Sequence, residues 1–346
     1  MPIATPLTTL LEIEHPILLA PMDVLAGSRL VTAVSLAGGF GILGGGYGER
    51  AWLERETAKL AGLRAPFGIG FITWSLARRP ELLDVALAAK PSAIMLSFGD
   101  PAPFAPKIKS AGARLICQVQ DEVMARQAFD AGADVLIAQG TEAGGHGASR
   151  TTIDLVPAIV DLVAGRVPVV AAGGIADGRG VAAMMMLGAS GALLGTRFYA
   201  SQEADGAEEA KRRICAANSG STVRGIVFDL SRNNVWPAPF TGRCLINEHA
   251  RRWIGREVEL MQNVAAVAAE YAVAKAAGNF DVAAVIAGEA VGLIHDIPPA
   301  AEIVERIAIE TEQLLAGRRN SVVTARNCSS SPSREGKEDE RDNHVA

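Results

Sequence analysis

The chain has 346 residues, with 33 Lys and Arg against 38 Asp and Glu for a formal charge of −5, and 49% of its residues are hydrophobic. A mildly acidic chain without a basic stripe gives no electrostatic ground for nucleic acid or an anionic membrane as a partner. No uncharged apolar run approaches the roughly 20 residues that span a bilayer, and the opening MPIATPLTTLLEIEHP has neither the basic nor the apolar region of a secretory signal, so a soluble cytoplasmic protein is expected.

In chain order, eight short apolar runs stand out: PILLAP (16–21), FGILGG (40–45), FGIGFI (67–72), AIMLSF (93–98), RLICQV (114–119), DVLIAQ (134–139), VPVVAA (167–172) and GALLGT (191–196). Between them, Ala- and charge-rich segments with helical spacing fall near 28–37, 49–62, 80–89, 102–111, 122–131, 153–164 and 177–188. Several end in the glycine that a helix C-cap favours. Alternation of this kind predicts βα units on a parallel sheet. Eight units in roughly 200 residues fit a (β/α)8 barrel better than an open doubly wound sheet. The expected fold class is therefore α/β, a TIM barrel with additional C-terminal helices.

Beyond the eighth run the pattern changes. Residues 203–217 read as a helix, 218–246 as a Gly-, Pro- and Asn-bearing segment with NNVWPAPFTGR, and 247–317 as mostly helical. The expected organisation is one domain formed by 1–202 with parts of 203–317. The polar, aperiodic stretch 318–346 is expected to be a disordered tail. Cys117, Cys215, Cys244 and Cys328 are scattered without a C-x-x-C pair, which favours free thiols over a metal centre or a disulfide framework. Cys117 lies in a strand and reads as core, and Met184, Met185 and Met186 read as part of a buried helix.

A barrel of this class carries its chemistry at the C-terminal ends of the strands. Those positions hold Pro21 and Met22, Ser97 and Phe98, Gln118 and Gln120, Gln139, and then AQGTEAGGHGASR with His146 among glycines. After the seventh and eighth strands come AAGGIADGRG, with Gly173, Gly174 and a predicted N-cap at Asp177, and LLGTRF, with Gly195 and Thr196. Backbone N–H groups at such turns, together with a helix N-terminus, donate to an anion that glycine lets approach closely, and barrels often place a phosphate site there. An imidazole beside that site titrates near neutral pH and can serve as acid, base or hydrogen-bond donor. Glu142 is a candidate to orient the ring or to anchor the loop. His15, His249, His295 and His344 read as structural or solvated, and Trp236 as a lid or as surface packing.

With APM (20–22), AGGFGILGGG (37–46), AQGTEAGGHG (138–147), AAGGIADGRG (171–180) and LLGTRF (193–198) in order, the chain resembles the nitronate monooxygenases, formerly 2-nitropropane dioxygenases, over about residues 7–315. The resemblance implies an FMN-dependent barrel. It implies isoalloxazine contacts from Pro21 and Met22, and amides at the ring's polar edge from Gln118 and Gln139. Gly145 would pass close to the flavin, Gly173, Gly174, Gly195 and Thr196 would hold the FMN phosphate, and His146 would be the active-site histidine. The implied reaction is oxidation of a small-molecule nitronate, such as propionate 3-nitronate, by O2 to a carbonyl compound and nitrite. Homo-oligomerisation is left open. Flavin-dependent enoyl-acyl-carrier-protein reductases and NADH:quinone reductases share the scaffold, so an NAD(P)H reductase is the alternative. Gln139 stands where typical enoyl reductases carry Glu, which favours the monooxygenase. A non-catalytic barrel that binds a phosphorylated ligand is the third reading.

Overall fold

The computed structural model describes residues 3–234 and 236–317. Numbering every strand in chain order, the barrel is built from β1 (Ile17–Leu19), β2 (Gly41–Gly44), β3 (Phe67–Ile72), β4 (Ala93–Ser97), β5 (Arg114–Val119), β6 (Val135–Gln139), β8 (Val169–Ala172) and β9 (Gly191–Leu194). They form one parallel sheet in the order β1-β9-β8-β6-β5-β4-β3-β2. The two outer strands meet: Phe40 N–H donates to the Ile17 carbonyl at 2.9 Å and Leu19 N–H to the Phe40 carbonyl at 3.0 Å, closing the ring. All eight expected runs are strands, and the seven expected helices lie between them, from Ser28–Leu36 to Gly178–Met186.

The period of two along each strand sorts residues into two layers. Leu18, Ile42, Met95, Ile116, Ile137, Val170 and Leu193 share an inner cluster with Phe40. Their neighbours Ile17, Leu43, Ile94, Leu115, Leu136, Ala171 and Leu194 join the outer cluster with the helices. Each fully buried large apolar side chain contributes about 1.5–3 kcal/mol relative to exposure. A short helix not foreseen from the sequence, Pro6–Leu11, places Leu7 and Leu11 in the inner cluster. Its Thr5 and Thr8 cap one another reciprocally. Gly68 and Gly70 leave room inside the ring, because a Cβ there would meet the Phe40 ring at 2.9 Å and Pro21 Cβ at 2.5 Å.

The segment after β9 goes beyond the sequence reading in two ways. First, 218–246 holds β10 (Thr222–Gly225) and β11 (Thr241–Leu245) around the helix Val227–Ser231. These strands pair antiparallel in the order β10-β11-β7, where β7 (Gly145–Gly147) is part of the histidine loop. Second, the final helix, Ala300–Leu315, contacts both Gly178–Met186 and Ser28–Leu36, the helices of the seventh and first units. It therefore occupies the place of the eighth barrel helix. The approach to Gly178–Met186 is close, since a Cβ on Gly178 would lie 2.6 Å from Glu310 Cβ. Residues between β9 and this helix are thus inserted into the last βα unit.

Smaller expectations meet different outcomes. Met186 projects into solvent with 79% exposure instead of lying in a buried helix face. His249 is buried and bonded to Ser231 Oγ at 2.7 Å. Cys117 is core, and Cys117, Cys215 and Cys244 are free thiols. His344, Cys328 and the expected tail lie outside the described residues. Among the described residues no helix is long and apolar enough to cross a membrane.

Candidate active site

Because Ile116 and Ile137 face inward, the same alternation turns Gln118 and Gln139 inward at the upper end of the barrel. Gln139 Nε2 donates to the His146 carbonyl at 3.0 Å, and its Oε1 accepts from Gln120 Nε2 at 2.8 Å. Gln139 thus ties the barrel wall to the histidine strand. The Gln118 side chain makes no protein hydrogen bond among the described residues, which leaves its amide for a ligand.

His146 sits in the middle of β7, opposite Gly242 of β11. Gly145 takes φ of 71° just before it, a conformation that favours glycine. Arg224 on β10 fastens this loop, donating to the carbonyls of Thr141 and Ala143 at 2.8 Å. The imidazole Nε2 lies 2.9 and 3.1 Å from the two carboxylate oxygens of Asp229, and both side chains are buried. Arg232 pairs with the same carboxylate. Burial pushes the His146 pKa down, and this outweighs the raising effect of Asp229. The neutral ring with Nε2–H donated to Asp229 is the tautomer this geometry supports. Nδ1 is then an acceptor, with no protein partner among the described residues.

The sequence did not single out Asp229, which lies 83 residues further along. The candidate orienting group, Glu142, does something else: it accepts from Thr152 N at 2.9 Å and Thr152 Oγ1 at 2.7 Å. It anchors the loop to the start of the helix Thr152–Val163. Trp236 is neither free lid nor surface packing. It is buried, stacks on His146 with ring centroids 3.5 Å apart at 6°, and donates from Nε1 to Tyr47 Oη at 2.9 Å. Trp74 and Phe98 meet its ring edge-to-face at 5.3 and 5.1 Å. The mouth of the barrel is aromatic around one imidazole.

The other candidates surround this point unevenly. Pro21 lies against Gly70, and Met22 Sδ would stand 3.5 Å from a Cβ on Gly195. Gly173 and Gly174 have φ of 106° and 72°. A Cβ at Gly173 would sit 2.9 Å from Ala143 N, so the turn is glycine for packing against the histidine loop as well. Thr196 Oγ1 accepts from Gly288 N at 2.9 Å. The helix Gly178–Met186, read from sequence as half of an anion site, is closed to an anion. Asp177 caps it as expected, accepting from Arg179 N at 3.0 Å, and Glu310 accepts from Gly178 N at 2.7 Å. Two carboxylates at that terminus repel a phosphate, so any phosphate here depends on the glycine turns.

These residues suit a flavin. Amides from Gln118 and Gln139, a thioether and glycine turns are the uncharged groups an isoalloxazine edge needs, and Gln120 Oε1 is a buried acceptor without a partner among the described residues. A barrel with such a mouth belongs to the flavin-dependent oxidoreductases acting on small molecules. The model of the nitronate monooxygenase family matches residues 4–75 and 76–310, and the chain belongs to that family. It is 34% identical to a nitronate monooxygenase, npaC, of Metarhizium robertsii over 86% of this chain and 90% of that protein. It is 30% identical to a (3aS,4S,5R,7aS)-5-hydroxy-7a-methyl-1-oxo-octahydro-1H-indene-4-carboxyl-CoA dehydrogenase of Mycobacterium tuberculosis, over 90% of this chain and 96% of that one. Among solved structures, FabK from Thermotoga maritima superposes with a TM-score of 0.80 at 33% identity, covering 92% of this chain and 99% of that one. Nitroalkane oxidase from Streptomyces ansochromogenes gives 0.75 at 25% identity, covering 90% and 99%.

Proposed function

We propose that the protein binds FMN and oxidises alkyl nitronates, such as propionate 3-nitronate, with O2 to a carbonyl compound and nitrite. The observation that carries this reading is the buried His146–Asp229 pair at the aromatic mouth. When bound, the flavin supplies the electron transfer and the oxygen chemistry. Pro21, Met22, Gln118, Gln139 and Gly145 would hold its ring, and Gly173, Gly174, Gly195 and Thr196 its phosphate. The chain's own task is to place an anionic carbon acid beside that ring.

A nitronate carries its negative charge on the nitro oxygens, and His146 meets it by donating from Nδ1. That requires the imidazolium, which Asp229 stabilises from the Nε2 side. Binding is therefore coupled to proton uptake, since the free ring is neutral near pH 7. For an un-ionised nitroalkane the roles reverse, and neutral Nδ1 takes the α-proton. The apolar rings of Trp74, Phe98 and Trp236 exclude water from the reacting pair.

The test is oxygen uptake and nitrite release with propionate 3-nitronate and no nicotinamide. His146→Asn should remove turnover while the protein stays yellow; normal turnover by that variant would refute the assignment. A second reading, a flavin-dependent reductase or dehydrogenase of acyl thioesters or quinones, draws support from the likeness to FabK and to the Mycobacterium tuberculosis dehydrogenase. Rapid anaerobic bleaching of the flavin by NADH or NADPH would favour it.

A further inference from the structure

His146 and Trp236 lie face to face, with ring centroids 3.5 Å apart and planes 6° from parallel. Carbon atoms in contact stand about 3.5–4.0 Å apart, so the two rings have almost no lateral offset. Two neutral aromatic rings disfavour that arrangement, because their negative faces repel. They prefer an offset stack or an edge-to-face contact, with centroids about 4.5–7 Å apart. A cation over the face of a ring is attracted instead, and indole offers the strongest such face. The stack suits a neutral imidazole poorly and an imidazolium well.

The indole is held in that position. Its Nε1 donates to Tyr47 Oη at 2.9 Å, and the Trp74 and Phe98 rings stand at 83° and 84° to it. Both stacked side chains are buried, and a cation–π contact is strongest where water is excluded. The charged groups acting on the imidazole are Asp229 and Arg232, from the helix Val227–Ser231 and its C-cap, and Arg224 from β10. Asp229 favours the charged ring and the two arginines oppose it. From β11 the ring meets Gly242, where a Cβ would lie 3.6 Å from Nε2. The Tyr47 phenol, from the loop after β2, is neutral, with its pKa pushed up by burial.

We infer that Trp236 is a positioning residue that stabilises the imidazolium form of His146 through the face of its indole, and so tilts the mouth toward anionic ligands over neutral ones of the same shape. Asp229 serves the same form from the edge of the ring. The inference deepens the reading of His146 as the group that meets a nitronate, and it rests on that reading for its use in turnover. Its direct test needs no substrate, so the two stand or fall separately.

That test is the titration of His146 in the full-length flavin-bound protein, followed by the ¹³C–¹H signals of its five histidines labelled at Cε1, with His146→Asn identifying the signal. Trp236→Leu keeps apolar cover over the imidazole but has no π face. Replacing all four tryptophans with 5-fluorotryptophan keeps the size and withdraws electrons from the face; of the four, Trp236 alone stacks on a histidine among the described residues. Trp236→Leu should move the titration midpoint down by about 0.5–1.5 pH units, and fluorination should move it down by less. If Trp236 did no more than bury the ring, its loss would ease desolvation and the midpoint would rise. A midpoint that rises or stays in place in either protein would overturn the inference, and the fluorinated protein decides alone if Trp236→Leu does not fold. In turnover, the ratio of kcat/KM for ethyl nitronate over nitroethane at pH 7 should fall roughly three- to thirtyfold in Trp236→Leu; an unchanged ratio would overturn the preference for anions. A parent protein that oxidises neither compound would remove the nitronate reading and leave the titration to decide the inference.

Discussion

Asp229→Asn tests whether the carboxylate works through His146 or only fills space, because it removes the charge while keeping the size. Nε2 stands 2.9 and 3.1 Å from the two oxygens, and a hydrogen bond to a charged group contributes about 1.5–3 kcal/mol, or roughly 10- to 150-fold. Arg232 shares the carboxylate, and the amide oxygen of Asn still accepts from Nε2–H. The expected loss in kcat/KM with a nitronate is therefore near the lower end, roughly 10- to 30-fold at neutral pH. The pH profile carries more information. Nitronate binding needs the imidazolium, so kcat/KM falls as pH rises through the His146 pKa, which burial places below 6.5. Asp229 opposes that lowering, so its loss moves the fall to still lower pH. The assay is oxygen consumption across pH 4.5 to 8 at low nitronate concentration, with flavin content checked by absorbance. A variant with parental kcat/KM and an unmoved limb would refute the role given to Asp229.

Three other perturbations test the surrounding frame. Glu142→Ala removes the acceptor for Thr152 N and Oγ1 and should cost about 1 kcal/mol, as for a lost helix cap, measured by denaturant unfolding. Gly70→Ala sets a Cβ 2.5 Å from Pro21 Cβ; overpacking costs about 1–3 kcal/mol, and the displaced Pro21 should lower flavin retention during gel filtration. Glu56 is buried, which opposes ionisation, yet bonds from Lys59 and from Ser28 N and Oγ hold its pKa at about 2. Its stabilisation is complete above its ordinary pKa of 4.5 and is lost as pH falls through about 2. Glu56→Gln should therefore lower the melting temperature at pH 6 and flatten its decline between pH 4.5 and 2.

The barrel was legible because its signal is local. Each strand is a short apolar run, most of the helices between them end near a glycine, and inward Gln118 and Gln139 follow from the period of two. Histidine among glycines was legible for the same reason. Partners made at long range were not. Asp229 lies on a five-residue helix inside a stretch rich in Gly, Pro and Asn, and nothing in VFDLS marks it as facing an imidazole. The strand identity of Gly145–Gly147 depends wholly on β11, nearly a hundred residues away. Glu310 was hidden in the same way: its bond to Gly178 N spans 132 residues, so the predicted helix terminus looked available to an anion.

The position of Ala300–Leu315 among the barrel helices bears on how the molecule is made. All eight barrel strands have been synthesised once residue 194 is added, but the shell over the β9–β1 seam needs the last helix. The segment that delivers Asp229, Trp236 and β11 to His146 comes between the two. An enzyme organised this way acquires the partners of its histidine before its outer wall is finished. The order also limits what shortening the gene can do. No stop codon placed after β9 trims the cap alone, because every such truncation that removes the cap removes the eighth stave of the outer wall as well.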